Sequence, residues 1–150
     1  MSNFLTEGRT ALVEALKADA SLEAAVKTWF DFGPGLRRRA EPEPASCPAL
    51  SVMPAGVNQL FVANVERELP QALRIEVTTD GQDPGPCEEL AALVLACVED
   101  CNETCLGLAA DGLTGVRVGG VTFAPLPRAG AARPLWRGDV EVELLWRRQP

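Results

Sequence analysis

The residues of this 150-residue chain best suited to chemistry are three cysteines spaced four apart, Cys97, Cys101 and Cys105. This spacing places successive thiols on one face of a helix, where soft metal ions bind and thiolates react. A structural zinc site needs four ligands in a tetrahedral arrangement, and only Cys47 or Cys87 remains to complete one. We expect instead that the thiols fill a core-facing helix stripe, because free cysteine is among the most buried residue types.

Other groups that common catalytic sites use are absent from the sequence. It contains no histidine and no tyrosine, which removes the commonest general base, the commonest metal ligand and every Ser-His or Cys-His pair. It also has no phosphate-binding loop, dinucleotide-binding glycine motif or nucleophile elbow. We therefore expect a protein that is not an enzyme, with no catalytic residue, no metal and no cofactor.

A run of three arginines, Arg37, Arg38 and Arg39, is a candidate contact for an anion or a partner protein. Glu41 and Glu43 flank the run, a pattern typical of a solvated loop. The net charge of −7 disfavours tight binding to nucleic acid, because neutralising phosphates requires clustered Lys and Arg. The run is therefore kept as a candidate subunit or partner contact.

Three carboxylates, Asp139, Glu141 and Glu143, alternate along the last predicted strand. A calcium site would need a glycine-punctuated acidic loop, which does not accompany them. We expect a solvated strand face, or one that meets basic groups on a neighbouring subunit.

Apolar periodicity predicts the helices, of which the third carries the spaced cysteines. The first covers about the first eighteen residues, and the third runs from about Pro84 to Cys105, with proline in its first turn. Irregular loops are predicted at about 33–48 and 125–135, where proline and charge are frequent. The apolar stripe of the second helix is formed by Leu22, Val26, Trp29 and Phe30.

Period-two alternation predicts four strands, and Gly119-Gly120 within one of them marks a bulge or a tight turn. The segment from Gly56 to Glu68 is ambiguous. Its apolar run, Leu60, Phe61 and Val62, is either an extra core strand or a hydrophobic loop tip that inserts into a partner. The four strands are Ala49–Met53, Leu73–Val77, Val116–Ala124 and Trp136–Arg147.

The resulting order, ααββαββ, predicts an α+β fold: a mainly antiparallel or mixed sheet of about four strands with helices packed on one face. Residues 1–150 are long enough for one domain. The sequence lacks a membrane-spanning apolar run and a secretory signal, so we expect a cytoplasmic protein with reduced thiols.

With this element order, the chain resembles the tail-terminator, or tail-completion, proteins of long-tailed double-stranded-DNA bacteriophages and related gene-transfer particles. The resemblance rests on the amphipathic N-terminal helices, the basic loop that enters the Cys47–Val52 segment, the Glu68-Leu69-Pro70 lead into the next strand, the single long helix and the closing strand. The cysteine stripe has no counterpart that the family explains.

The resemblance implies a structural virion protein of the tail-neck region, assembled in the host cytoplasm. Copies would form a hexameric ring that caps the head-proximal end of the tail tube, stops tube polymerisation and provides a surface for head-tail joining. Its partners would be other copies, the tail-tube protein, neck or head-completion proteins and DNA passing without sequence-specific binding, but no membrane. The candidate contact residues are Arg37, Arg38, Arg39, Leu60, Phe61, Val62, Glu141 and Glu143.

Three alternatives stay open at the level of sequence. The first is another neck or head-completion connector, which only its binding partners would distinguish. The second is a cytosolic thiol or metal enzyme using Cys97, Cys101 and Cys105, which would carry stoichiometric zinc or iron. The third is a small ligand-binding domain, which would be a monomer or dimer with a saturable pocket between helix and sheet.

Overall fold

The computed structural model shows a mixed β-sheet with helices on one of its faces, and it describes residues 3–30, 44–57, 60–61, 67–102, 106–126 and 134–148. The helices are α1 (Phe4–Ala18), α2 (Ala20–Ala25) and α3 (Gly85–Glu99). The strands are β1 (Thr28–Phe30), β2 (Ala49–Val57), β3 (Leu60–Phe61), β4 (Arg67–Asp80), β5 (Leu113–Leu126) and β6 (Leu135–Arg148). Five strands lie in the order β1-β2-β4-β6-β5, and β3 also pairs with β4.

The α+β class and the mixed sheet are confirmed, whereas the predicted strand count and element order are wrong. The four predicted strands correspond to β2, β4, β5 and β6, each longer than predicted. The additional strands, β1 and β3, have three and two residues, too few for a period-two pattern to show in the sequence. β3 (Leu60–Phe61) agrees with the extra-strand interpretation of that segment and not with a loop tip. Among the strands that the structure describes, only β1 runs parallel to its neighbour, and the other pairs are antiparallel.

The second helix ends at Ala25, so the prediction that its apolar stripe continues through Trp29 and Phe30 is wrong. Val26 already has extended backbone angles, and its N–H donates to Leu22 O at 2.9 Å to close the helix. Thr28 then begins β1, which pairs with β2. The β-branched and aromatic residues of β1 suit a pleated, half-buried strand, and pairing with β2 fixes that conformation.

The third helix ends at Glu99 rather than near Cys105, which lies outside the described residues. The N–H of Cys101 donates to Val98 O at 3.0 Å, a three-residue bond that tightens the end of the helix. Asp100 and Asn102 flank this point, and their short polar side chains favour caps and turns over helix interiors.

β2 continues through Pro54 to Val57, although the sequence predicts that Pro54 ends it. Thr28 N–H donates to Pro48 O at 3.2 Å, so the even-numbered residues of β2 turn their backbone towards β1. The nitrogen of Pro54 therefore faces the sheet edge beyond the last β1 residue. Its missing N–H removes no bond from the β2–β4 ladder, and the strand tolerates the proline.

The core lies between the helices and one face of the sheet. Side chains of β4 and β6 alternate as predicted, and the fully buried set includes Trp146 of β6 with Leu12 and Leu16 of α1. The inward strand residues are Leu73, Ile75, Val77, Val140, Val142 and Leu144. The register of β5 shifts between Val118 and Gly120, which identifies the glycine pair as a bulge and not a turn.

Candidate interaction surface

The sheet face opposite the helices carries many charged side chains, and we call this surface the charged face. It exists because every second residue of β4, β5 and β6 points away from the core. The strand register places Arg74 opposite Glu141, and Arg117 opposite Glu143. The charged face consists of Arg74, Glu76, Arg117, Arg137, Asp139, Glu141 and Glu143.

Glu76 occupies the centre of the charged face and is only 3% exposed. It accepts a hydrogen bond from Arg74 Nε at 3.1 Å, and Arg137 Nη2 lies 3.9 Å from the same carboxylate oxygen. Arg137 also binds both oxygens of Asp139, each at 2.9 Å. Because burying a lone carboxylate is costly, the two arginines compensate for the burial of Glu76 in this position.

The periphery of the charged face is more open to solvent. Arg117 grips Glu143 with two hydrogen bonds, at 3.1 and 3.3 Å, and the hydrogen bond to Glu143 raises the pKa of Arg117. Because solvent screens this ion pair, it contributes little to the stability of the fold. Glu141 is exposed, and no ion pair with it occurs among the described residues.

The carboxylates of this face do not form a cation site. Asp139 forms an ion pair with Arg137, and Glu143 forms one with Arg117. These two carboxylates are therefore already neutralised, and a cation would gain little from them. Within the described ranges, no group of three or more His, Cys, Asp or Glu side chains could hold a metal ion. The arrangement suits salt-sensitive contact with another macromolecule better than coordination of an ion.

The predicted contact residues are only partly brought together. Glu141 and Glu143 lie on the charged face, while Leu60 and Phe61 form β3, paired with Glu68 and Arg67 of β4. The remaining four predicted residues lie outside the described part of the chain: Arg37, Arg38, Arg39 and Val62.

Sequence reasoning missed the basic half of the charged face and its buried carboxylate. Arg74 and Glu76 alternate with Leu73, Ile75 and Val77, so the period-two pattern already placed both on the polar face. That pattern does not reveal which strand lies alongside β4. The ion pair across to Arg137 depends on the β4–β6 register, which only the structure supplies.

The cysteines on α3 pack into the core. Cys97 is buried, and its thiol donates a weak hydrogen bond to Ala15 O, with Sγ and O 3.7 Å apart. This bond links α3 to α1. Burial, and next the neighbouring Cys101 thiol, raises the pKa of Cys97 to about 12. Burial likewise raises the pKa of Cys87 to about 11. Both thiols are therefore protonated at neutral pH, and a thiol is a poor nucleophile and a poor metal ligand.

Comparison with known proteins gives a likeness in structure and none in sequence. No protein-family model matches the chain, and no curated protein matches it in sequence. Among the described residues, no helix has both the length and the apolar character needed to cross a membrane. The chain is similar to a solved structure described as "Virion of native gene transfer agent (GTA) particle", with a TM-score of 0.66 and 18% identity over 93% of this chain and 94% of that one. The two chains share a fold over almost their whole lengths.

Proposed function

We propose that this protein is a structural component of a phage-like virion, and specifically a tail terminator. Copies form a ring on the head-proximal end of the tail tube, stop its polymerisation and offer a surface for head-tail joining. The observation that carries this proposal is the shared fold with a chain of a gene-transfer-agent virion, which extends over 93% of this chain.

The chemistry of the described residues supports a protein that works through contacts. The buried thiols are protonated at neutral pH, because burial raises the pKa of Cys87 and Cys97. The charged face offers paired charges and one exposed carboxylate instead of a reactive group. A net charge of −7 is also compatible with DNA passing through a ring without being held.

Candidate contacts follow from charge and exposure. The carboxylate of Glu141 is exposed, and no arginine of the charged face lies within ion-pair distance of it. We assign it, with Glu143, to a basic group of the tail-tube protein or of a neighbouring copy. Arg37, Arg38 and Arg39, together with the apolar Leu60, Phe61 and Val62, are further proposed contacts with tube or neck proteins.

Polymerisation of the cognate tail-tube protein tests this function directly. The purified chain, carrying a gold label, is added during tube growth, and tubes are imaged by electron microscopy. We expect label at one end only and shorter tubes as the chain concentration rises. Unlabelled ends with unchanged tube lengths would reject the terminator role, and binding only to isolated neck assemblies would favour the connector alternative.

A matched pair of charge reversals tests the proposed contact. Glu141→Lys reverses the exposed carboxylate of the charged face, and Glu14→Lys makes the same change at an exposed position of α1. We expect the first to weaken tube-end binding and the second to leave it unchanged. Equal binding by both variants would remove Glu141 from the interface.

A further inference from the structure

The outer edge of β5 exposes backbone hydrogen-bonding groups. Arg147 N–H donates to Gly112 O at 2.8 Å, which fixes the odd-numbered residues of β6 as those whose backbone faces β5. Their partners include Thr122 and Ala124, so the backbone groups of these two residues point towards β6. The intervening residues Val121 and Phe123 must then turn their N–H and C=O groups away from the sheet.

Nothing in the described part of the chain pairs with this edge, since β6 is the one strand beside β5. Pro125 belongs to the same outward set as Phe123, and its missing N–H therefore removes no bond to β6. A 14-residue edge strand with free amides is a template for an added strand.

The opposite edge of the sheet is also incomplete. β1 pairs only with Ala49, Leu50 and Ser51, so the second half of β2, from Met53 to Val57, has no described strand on its outer side. β2 is antiparallel to β4, β4 to β6, and β6 to β5. The β2 edge and the β5 edge thus run in opposite directions, and two copies placed side by side in the same orientation present antiparallel edges to each other.

Apolar exposure follows the same two edges. Among the described residues, the large hydrophobic side chains that are exposed are Phe123 at 40% and Val57 at 44%. A Cβ added to Gly138 would lie 3.0 Å from both the Phe123 ring and Val77, so Phe123 lies on the helix-bearing face. Val57 pairs with buried Gln71 and shares that face. One hydrophobic side chain at each edge, on the same face, suits a head-to-tail contact between copies.

We propose that the β5 edge of one copy pairs antiparallel with the β2 edge of the next copy, so that the sheet continues across the subunit boundary and covers Phe123 and Val57. The contact joins two different surfaces, and such heterologous contacts close into rings when the rotation permits. This interface deepens the proposed function and rests on it, because it names how the ring is held together.

A single substitution at the edge tests the interface while keeping the sheet intact. Phe123→Pro removes an outward N–H, as Pro125 does naturally, and leaves the bonds to β6 in place. We expect wild-type protein to form oligomers as its concentration rises, measured by native mass spectrometry and light scattering, and the variant to stay monomeric with a wild-type circular dichroism spectrum. Phe123→Ala is the control, because it removes the phenyl side chain but keeps the backbone N–H. It should weaken the assembly of subunits without abolishing it.

A mixing experiment with wild-type and variant protein distinguishes this interface from one in which two β5 edges pair with each other. Affinity-tagged Phe123→Pro still has its β2 edge and should capture untagged wild-type protein, whereas β5-to-β5 pairing predicts no capture. Absence of capture, unchanged oligomers of a folded Phe123→Pro variant, or a strictly monomeric wild type would each overturn the interface. The tube-end assay reports on the proposed function separately: oligomers sensitive to Phe123→Pro that ignore tail tubes would keep the interface and reject the terminator role.

Discussion

The indole Nε1 of Trp146 donates a hydrogen bond to Oε1 of Gln71 at 2.9 Å inside the core. The amide of the same glutamine donates to the backbone carbonyl of Leu5 at 2.8 Å. One side chain therefore connects β6, β4 and the first turn of α1, and it satisfies an indole N–H that burial would otherwise leave unpaired. Phe4 packs edge-on against the same indole, with ring centroids 5.1 Å apart.

Replacing this glutamine should destabilise the fold. Gln71→Leu keeps most of the volume but leaves the Trp146 N–H buried without an acceptor, which costs about 1–3 kcal/mol. Urea unfolding followed by tryptophan fluorescence measures the loss. Gln82→Leu is the control, because Gln82 is exposed and Trp136 binds only its backbone oxygen; an equal loss in both variants would contradict a specific role for Gln71.

Gly8 lets α1 approach the sheet closely. A Cβ at this position would lie 2.8 Å from Gln71 Oε1, 2.8 Å from Leu144 Cδ1 and 3.0 Å from the Trp146 ring. Alanine would favour the helix by about 1 kcal/mol, but overpacking of this buried site costs roughly 1–3 kcal/mol. We therefore expect Gly8→Ala to lower the unfolding midpoint. Thr10→Ala, at an exposed position of the same helix, should raise it slightly; a stabilised Gly8→Ala variant would show that α1 can shift outward freely.

Sequence patterns anticipated the elements with long apolar repeats and failed where tertiary contacts decide. Alternation placed Asp139, Glu141 and Glu143 on one face of the last strand, and the opposite face carries Val140, Val142 and Leu144, all fully buried. The same reasoning extended the second helix to Phe30, because helical spacing continues there while pairing with β2 imposes a strand. The ion pairs of Glu76 depend on strand register, and no local pattern encodes which strands become neighbours.

The buried carboxylate of the charged face provides a matched comparison with an exposed one. Glu76→Gln removes the negative charge that lies between Arg74 and Arg137. We expect the free energy of unfolding to fall by about 1–3 kcal/mol. The loss is no larger because both arginines keep some access to water. Glu141→Gln, on the exposed part of the same face, should change stability by less than about 0.5 kcal/mol. Chemical denaturation of both variants at neutral pH makes the comparison. Equal effects would mean that burial of Glu76 has no energetic consequence.

The buried thiols predict a loss of stability in alkaline solution. Burial raises the pKa of Cys87 from 9.0 to about 11 and that of Cys97 from 9.0 to about 12. Above pH 9 the unfolded chain therefore releases thiol protons that the folded chain retains, and the free energy of unfolding falls as pH rises towards these values. The sequence has no tyrosine, so phenol ionisation does not add to the effect in this range.

Urea denaturation at a series of pH values from neutral to strongly alkaline measures this slope under reducing conditions. The Cys87→Ala/Cys97→Ala double variant is the comparison, because it lacks the two buried thiols. Its stability at neutral pH can differ from that of the wild type, but its free energy of unfolding should fall less steeply as the pH rises. Alkylation of the native wild type by iodoacetamide should also be slow at Cys87 and Cys97, because few of these thiols are ionised, and fast after denaturation. Parallel slopes for the two proteins, or rapid native alkylation at either cysteine, would contradict the assignment of these thiols to a protonated core.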